Sequence, residues 1–363
     1  MDNSERMSGR QATKLFLIAA ISPLIILIPN FVASHAGKAG WISAFIALGF
    51  CVGFAVIVNN LFNNKKKNII NLENAFEHAF GKAITKGLLV LLLVIQLLLI
   101  AVRLRVFTER LETLLFVDTV PSLFMIVLLS AVFVASKLKL KFLGRFSELM
   151  EIVLFIVFAI IISICLQNFD ITNLYPVITY DIPDILFSTV AFLALFASYS
   201  YIFILGESIT DRHQILKSGI TSAVIICAIG LGVICITIGA FGPNVVTAFS
   251  QPFFMALKSA DILGVFEGID SMFVSFWILT DYAMIIYHTV ISGAILQKLF
   301  KLQSRSTMVA PIIFISYILA LALAKNFFVI TEFTNNIVIY LNIFLGMVLP
   351  VIAFIVLKIK KKA

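Results

Sequence analysis

Apolar runs about as long as a bilayer is thick alternate with short polar connectors from residue 12 to residue 357. A hydrocarbon core of about 30 Å needs about 20 helical residues to cross it. Ten runs, at 12–33, 41–62, 84–105, 120–136, 148–166, 184–206, 218–240, 265–291, 309–325 and 335–357, predict an all-α membrane protein of ten spanning helices. The fourth is short and carries Pro121 at a first helical position, where proline is tolerated. Two connectors show helical spacing but are too short to span. The stretch 71–81, NLENAFEHAFG, puts Leu72, Ala75, Phe76, Ala79 and Phe80 on one face, with Asn71 able to cap its start and Gly81 its end. It predicts a helix lying along the cytoplasmic interface. The stretch 252–260, PFFMALKSA, predicts a second on the outer side.

The ten runs divide five and five, 1–166 and 184–357, about an external linker at 167–183 that holds no lysine or arginine; a basic tail, 358–363, follows. An odd number of spans per half makes the second half enter from the opposite side, which is an inverted repeat. The first run of each half is also the one whose middle is unusual. Run one carries Ser22-Pro23 and then Pro29-Asn30, and each proline removes a backbone donor and crowds the turn before it. Run six carries Ala197, Ser198, Tyr199, Ser200 and Tyr201 at mid-depth, where lipid offers hydroxyls no partner. Interrupted helices at matching positions of two halves point to a midplane binding site. Freed N–H groups there suit a carboxylate, and freed carbonyls suit an ammonium or a cation. The site expected on this reading is Ser22, Pro23, Leu24 and Ile25 with Ala197, Ser198, Tyr199, Ser200 and Tyr201, and Gln96 of run three beside them. The plainer alternative is a pair of kinked helices with back-bonded serines and no site.

Composition sharpens the class. The chain is 61% hydrophobic and 13% charged, against about 45–50% apolar and about 25% charged for a soluble domain. The net charge of +8 lies in loops between apolar runs, a topology signal and not a nucleic-acid face. With the N-terminus inside, 21 of the lysines and arginines fall in the cytoplasm, and 6 fall outside: Lys38, Arg103, Arg105, Arg110, Lys258 and Lys325. Both termini are therefore expected in the cytoplasm. The first run exceeds an ordinary signal-peptide core, so it is expected to be retained. The four cysteines lie inside apolar runs without metal-ligand spacing. No nucleotide-binding loop, HExxH or GxSxG motif is present in the sequence, so neither an enzyme nor a cofactor is expected.

Polar residues inside the runs are the remaining candidates. Asp281, near the centre of run eight, is costly in a membrane and by default functional. His288 lies seven residues on, on the same face. The pair is expected either in a proton, cation or channel role, or with Asp281 as a structural partner of one of the arginines after run three or of a neighbouring hydroxyl. Glu148 and Glu151 enter run five near Arg145. Asn335, Asn336 and Asn342 read as helix-packing polars. Trp41 suits an interfacial belt, and Trp277 packs deeper.

Several stretches resemble the B-subunit family of nutrient germinant receptors of spore-forming bacteria, the spore germination permeases of the amino acid–polyamine–organocation superfamily. They are LFLIAAISPLIILIPN in run one, AGKAGWISAFIALG entering run two and RVFTERLETLLFVDTVP after run three. GRFSELMEIVLF entering run five and NFDITNLYPVI in the linker complete the set. The resemblance implies a LeuT/APC-like five-plus-five inverted repeat and a subunit sensing a small nutrient, such as an amino acid, in the spore inner membrane. A-type and C-type receptor subunits are the implied partners, besides membrane lipid. Two departures stand out. Ser22-Pro23 occupies a position where the family favours glycine, and no arginine precedes the acidic Glu267-Gly268-Ile269-Asp270. A stand-alone proton-coupled amino acid transporter is the alternative, and an ion or water channel is a third reading.

Overall fold

The computed structural model describes residues 6–62, 69–114, 120–178, 181–260, 269–323 and 327–360. Among these, eight helical runs are long and apolar enough to cross a bilayer; one, Gly9–Phe62, holds two spans, and the shorter Pro121–Ser136 makes the tenth. Spans one to five are α1 (Gly9–Ala36), α2 (Ile42–Phe62), α4 (Lys82–Leu114), α5 (Pro121–Ser136) and α6 (Leu140–Cys165). Span six is α7 (Ile182–Ala197) continued by a 3₁₀ segment, Ser198–Ser208. Span seven is α8 (Ile215–Phe241), span eight α11 (Ile269–Phe300) and span nine α12 (Val309–Ala322). Span ten is α13 (Phe327–Phe333), α14 (Ile339–Ile343) and α15 (Leu349–Ile359), joined by two π-helical turns.

The short helices fall where the spacing predicts them. In α3 (Leu72–Phe80), the Asn71 side chain accepts the Asn74 N–H at 2.7 Å, and Gly81 ends the helix at φ 88°. After span seven come α9 (Pro243–Ala248) and α10 (Pro252–Ser259). Helices α3 and α10 therefore follow the second span of each half.

The packing repeats with the same symmetry. Span one packs on span seven and span six on span two; span three packs on span nine and span eight on span four. Spans one and six, two and seven, and three and eight pack on one another. A two-residue parallel ladder, β1 (Met7–Ser8) to β2 (Ile209–Thr210), joins the start of span one to the end of span six. The two spans thus run in opposite directions. This is the five-plus-five inverted repeat. Arg10 meets Glu148, Lys298 meets Glu73 and Glu207, and Lys360 meets the Ala79 carbonyl, so the start of span one and the end of span ten lie on one face. Exposed Phe45, Phe50, Val127, Ile156 and Phe314 on α2, α5, α6 and α12 form the apolar outer surface that lipid would cover.

Two expectations need correction. Span one is not split: α1 is α-helical from its Ser8–Gln11 capping box to Ala36, with Pro23 and Pro29 inside it. Most of its residues are buried, because spans five, six, seven and eight surround it. That packing keeps the helix in register across the missing donors. Span three does not end near residue 105 but continues to Leu114. Arg103 and Arg110 are not loop charges; both are buried and paired inside the protein, while Arg105 pairs with Glu109 one turn on. Lys65, Lys66, Lys67, Lys325, Lys361, Lys362 and the Glu267-Gly268 pair lie outside the described residues.

Candidate functional site

The site begins where span six changes its winding. The Ser198 N–H turns to the Leu195 and Phe196 carbonyls, so the Ala194 carbonyl loses its ordinary α-helical partner. An eleven-residue 3₁₀ run is long for that geometry, in which runs beyond about 3–4 residues are uncommon. It persists because span ten and its neighbours satisfy the change. Asn342 Nδ2 donates to the Ala194 carbonyl at 2.7 Å and to Ser198 Oγ at 3.2 Å. Its Oδ1 accepts from Tyr201 at 2.7 Å. Tyr287 of α11 donates to the Ser198 carbonyl at 2.6 Å. Asn342 sits on α14, the single turn between the two π segments. Gly346 lets that helix approach, since a Cβ there would stand 2.6 Å from the Ala197 carbonyl.

Beside this joint lies a cavity of about 70 Å³ between spans one, three, six, eight and ten. At about 10–15 Å³ per water it has room for roughly five to seven waters. Phe16, Ala19, Ala20 and Leu27 of α1, with Leu99, Val102, Ala191 and Val338, make its wall mainly apolar. Ser198, Asn342, Thr334, Tyr287, His288 and Arg103 supply the polar groups. Below it, Phe16 packs edge-on against Phe196 and Tyr199, with ring centres 5.7 and 5.5 Å apart.

A charged cluster closes one side. Asp281 is fully buried, and each of its oxygens has two partners. Oδ1 faces Arg103 Nη1 at 3.3 Å and accepts from the Ser22 hydroxyl. Oδ2 takes Arg110 Nη2 at 2.7 Å and Trp277 Nε1 at 2.8 Å. The Arg110 guanidinium lies over the Trp277 ring, 4.2 Å from its centre. Pairing of this kind is how a carboxylate is tolerated at such depth.

Of the residues expected at the site, the structure brings Pro23, Ser198 and His288 to the cavity. Ser22 and Ile25 line a second hollow of about 20 Å³ with Arg110 and Trp277. Leu24, Gln96, Ala197, Tyr199, Ser200 and Tyr201 are buried but outside the lining. Tyr199 turns to span seven, where its hydroxyl packs on Gly219 and donates to the Ile215 carbonyl at 3.2 Å. Ser200 donates back to the Ala197 carbonyl at 3.2 Å. Gln96 Oε1 meets His288 Nδ1 at 2.6 Å, so His288 is held by span three and is not hydrogen-bonded to Asp281. The reading of Asp281 as partner to the arginines after span three matches this geometry. Arg103, whose position after the third run leaves it either snorkelling to the interface or lining a cavity, and Asn342, read as a packing polar, both line the cavity although neither is among the residues expected at the site. Gly346, one turn beyond Asn342, was the available sign that span ten approaches another backbone closely. Among the described residues, no cluster of three His, Cys, Asp or Glu is placed to hold a metal.

Comparison with known proteins fits this architecture. A family model described as spore germination protein matches residues 6–329. The solved structure of MhsT in complex with L-phenylalanine is 11% identical, with a TM-score of 0.63, over 98% of this chain and 99% of that one. A Na⁺-coupled sialic acid symporter, solved substrate-bound and outward-open, is 11% identical, with a TM-score of 0.64, over 95% of this chain and 80% of that one. At such identity the likeness is one of fold. No curated protein sequence matches the chain.

Proposed function

This chain belongs to the spore germination protein family, and from that premise we propose that it is the ligand-sensing membrane subunit of a nutrient germinant receptor. The family and the transporter fold make it a multi-pass membrane protein with a nutrient-binding or transport role. The finer reading is that a small nutrient, such as an amino acid, binds between spans one, three, six and eight, with span ten added. Occupancy then shifts the two halves, and A-type and C-type subunits read the shift. Both termini face the cytoplasm from the spore inner membrane.

The observation that carries this reading is the cavity at the α-to-3₁₀ joint of span six, walled by span one on the other side. The winding changes at this joint, where the Ala194 carbonyl is held by the Asn342 side chain and not by the helix itself, so a shift of span ten against span six acts directly on the cavity wall. Replacing Ala20 with Phe fills the cavity. Spores carrying Ala20→Phe should lose the response to one nutrient class while the protein stays at its normal level in the membrane. An undiminished response to every nutrient, in spores lacking other receptors, contradicts the proposal.

A stand-alone proton-coupled amino acid transporter is the second reading, favoured by the transporter fold of both solved structures. Uptake of labelled amino acid into vesicles holding only this chain, driven by a pH gradient, selects it.

A further inference from the structure

Span one offers the cavity no main-chain anion holder, because α1 is unbroken and its amides are spent within the helix. It does have a guanidinium. Arg103 projects from α4 into the wall between the cavity and a neighbouring hollow of about 30 Å³ lined by Asn30, Thr331 and Asn335. Its side chain is 5% exposed, yet its donors are poorly used. Nε points at the Met284 sulfur, a weak acceptor, at 3.1 Å. Nη1 is divided between Ser22 Oγ at 3.1 Å and Asp281 Oδ1 at 3.3 Å. Nη2 has no hydrogen-bond partner among the described residues. Asp281 does not make up the difference, since its shorter ion pair, 2.7 Å, goes to Arg110. A buried cation with an unpartnered Nη2 and an Nε spent on a weak acceptor calls for a better one, and a carboxylate matches a guanidinium edge with two parallel bonds.

We propose that Arg103 anchors the carboxylate of the ligand, which makes the ligand a small carboxylic acid with an apolar body. This rests on the reading of the cavity as the nutrient site. The Nε–Nη2 edge is the docking edge. Met284 itself lines the cavity and has a flexible chain, so it can swing off Nε as the carboxylate arrives. The apolar wall of Ala19, Ala20, Leu99 and Val102 receives the rest of the molecule. The arriving charge also competes for Arg103 with its long bond to Asp281, which ties occupancy of the cavity to span eight.

The test uses the purified full chain in lipid nanodiscs. Thermal stabilisation is measured with each standard amino acid, and then with the amide and the amino alcohol of every one that stabilises. The proposal expects the neutral analogues to bind about 10–100-fold more weakly, the loss of a charge-assisted pair. It also expects Arg103→Lys to keep measurable binding and Arg103→Gln to lose it. The analogue series needs no variant, so a poorly folding Arg103→Gln does not spoil the test. Amides and alcohols that bind as tightly as the acids, with binding still lost in Ala20→Phe, overturn the Arg103 assignment and leave the cavity as the site. Acids, amides and alcohols that all bind equally to wild type and Ala20→Phe overturn the cavity reading, as does the absence of any binder.

Discussion

Asp281→Asn separates two roles for the buried carboxylate. The substitution keeps the shape and removes the charge. Asparagine has one acceptor where four donors converge: Arg103, Ser22, Arg110 and Trp277. Its amide would face a guanidinium on whichever side it points, donor against donor. Breaking one side of a buried ion pair costs about 3–5 kcal/mol, mostly from the charge left behind. Because Arg103 has no other acidic partner among the described residues, removing it as well should return part of that cost. The double variant Asp281→Asn/Arg103→Gln should therefore be less destabilised than the two single effects added, with a coupling of about 0.5–3 kcal/mol. Reversible unfolding in mixed detergent, followed by tryptophan fluorescence, measures all four proteins, and the Trp277 ring reports from within the cluster. If Asp281→Asn unfolds at the wild-type detergent fraction but abolishes the ligand response, the pairing argument is refuted and the carboxylate is a proton or cation relay.

Further outcomes follow from other contacts. Asn342→Ala strips the donor from the Ala194 carbonyl and should cost about 1–3 kcal/mol, with faster hydrogen exchange over residues 198–208. Gly346→Val drives side-chain atoms into the Ala197 carbonyl and the Tyr201 hydroxyl and should cost about 1–3 kcal/mol, read in the same unfolding assay. Asn71→Ala removes the cap of α3 and its bond to Glu207, lowering stability by about 0.5–2 kcal/mol. The Asp170 carboxyl is held below its ordinary value by the Thr172 hydroxyl and N–H, at 2.7 and 2.8 Å. Its contribution is present above about pH 3.9, the unfolded value, and fades as pH falls through the lower folded value, so Asp170→Asn should flatten the acid limb of a stability–pH curve.

Much of this architecture is legible in the sequence because lipid demands long apolar runs and says so at every position. The cap and stop of α3 are equally local, and Asn71 and Gly81 behave as their chemistry requires. The hydroxyl cluster at 198–201 marks the joint in span six, since polar groups at that depth need a reason. Local chemistry misleads where a distant partner decides. Arginines read as the end of a span, yet Arg103 and Arg110 stay in the helix because Asp281, 178 and 171 residues away, meets them. Prolines read as breaks, yet α1 is clasped on all sides and holds. The π turns around Asn342 have no periodic signature to find, so its partnership with Ala194 emerges only in three dimensions.

The most direct measurement is a structure of the chain determined with a saturating amino acid that stabilises it. The account predicts the ligand between Ala20 of span one and Ser198 of span six, with its carboxylate on Arg103. A ligand seated elsewhere, with this cavity unchanged, would contradict it.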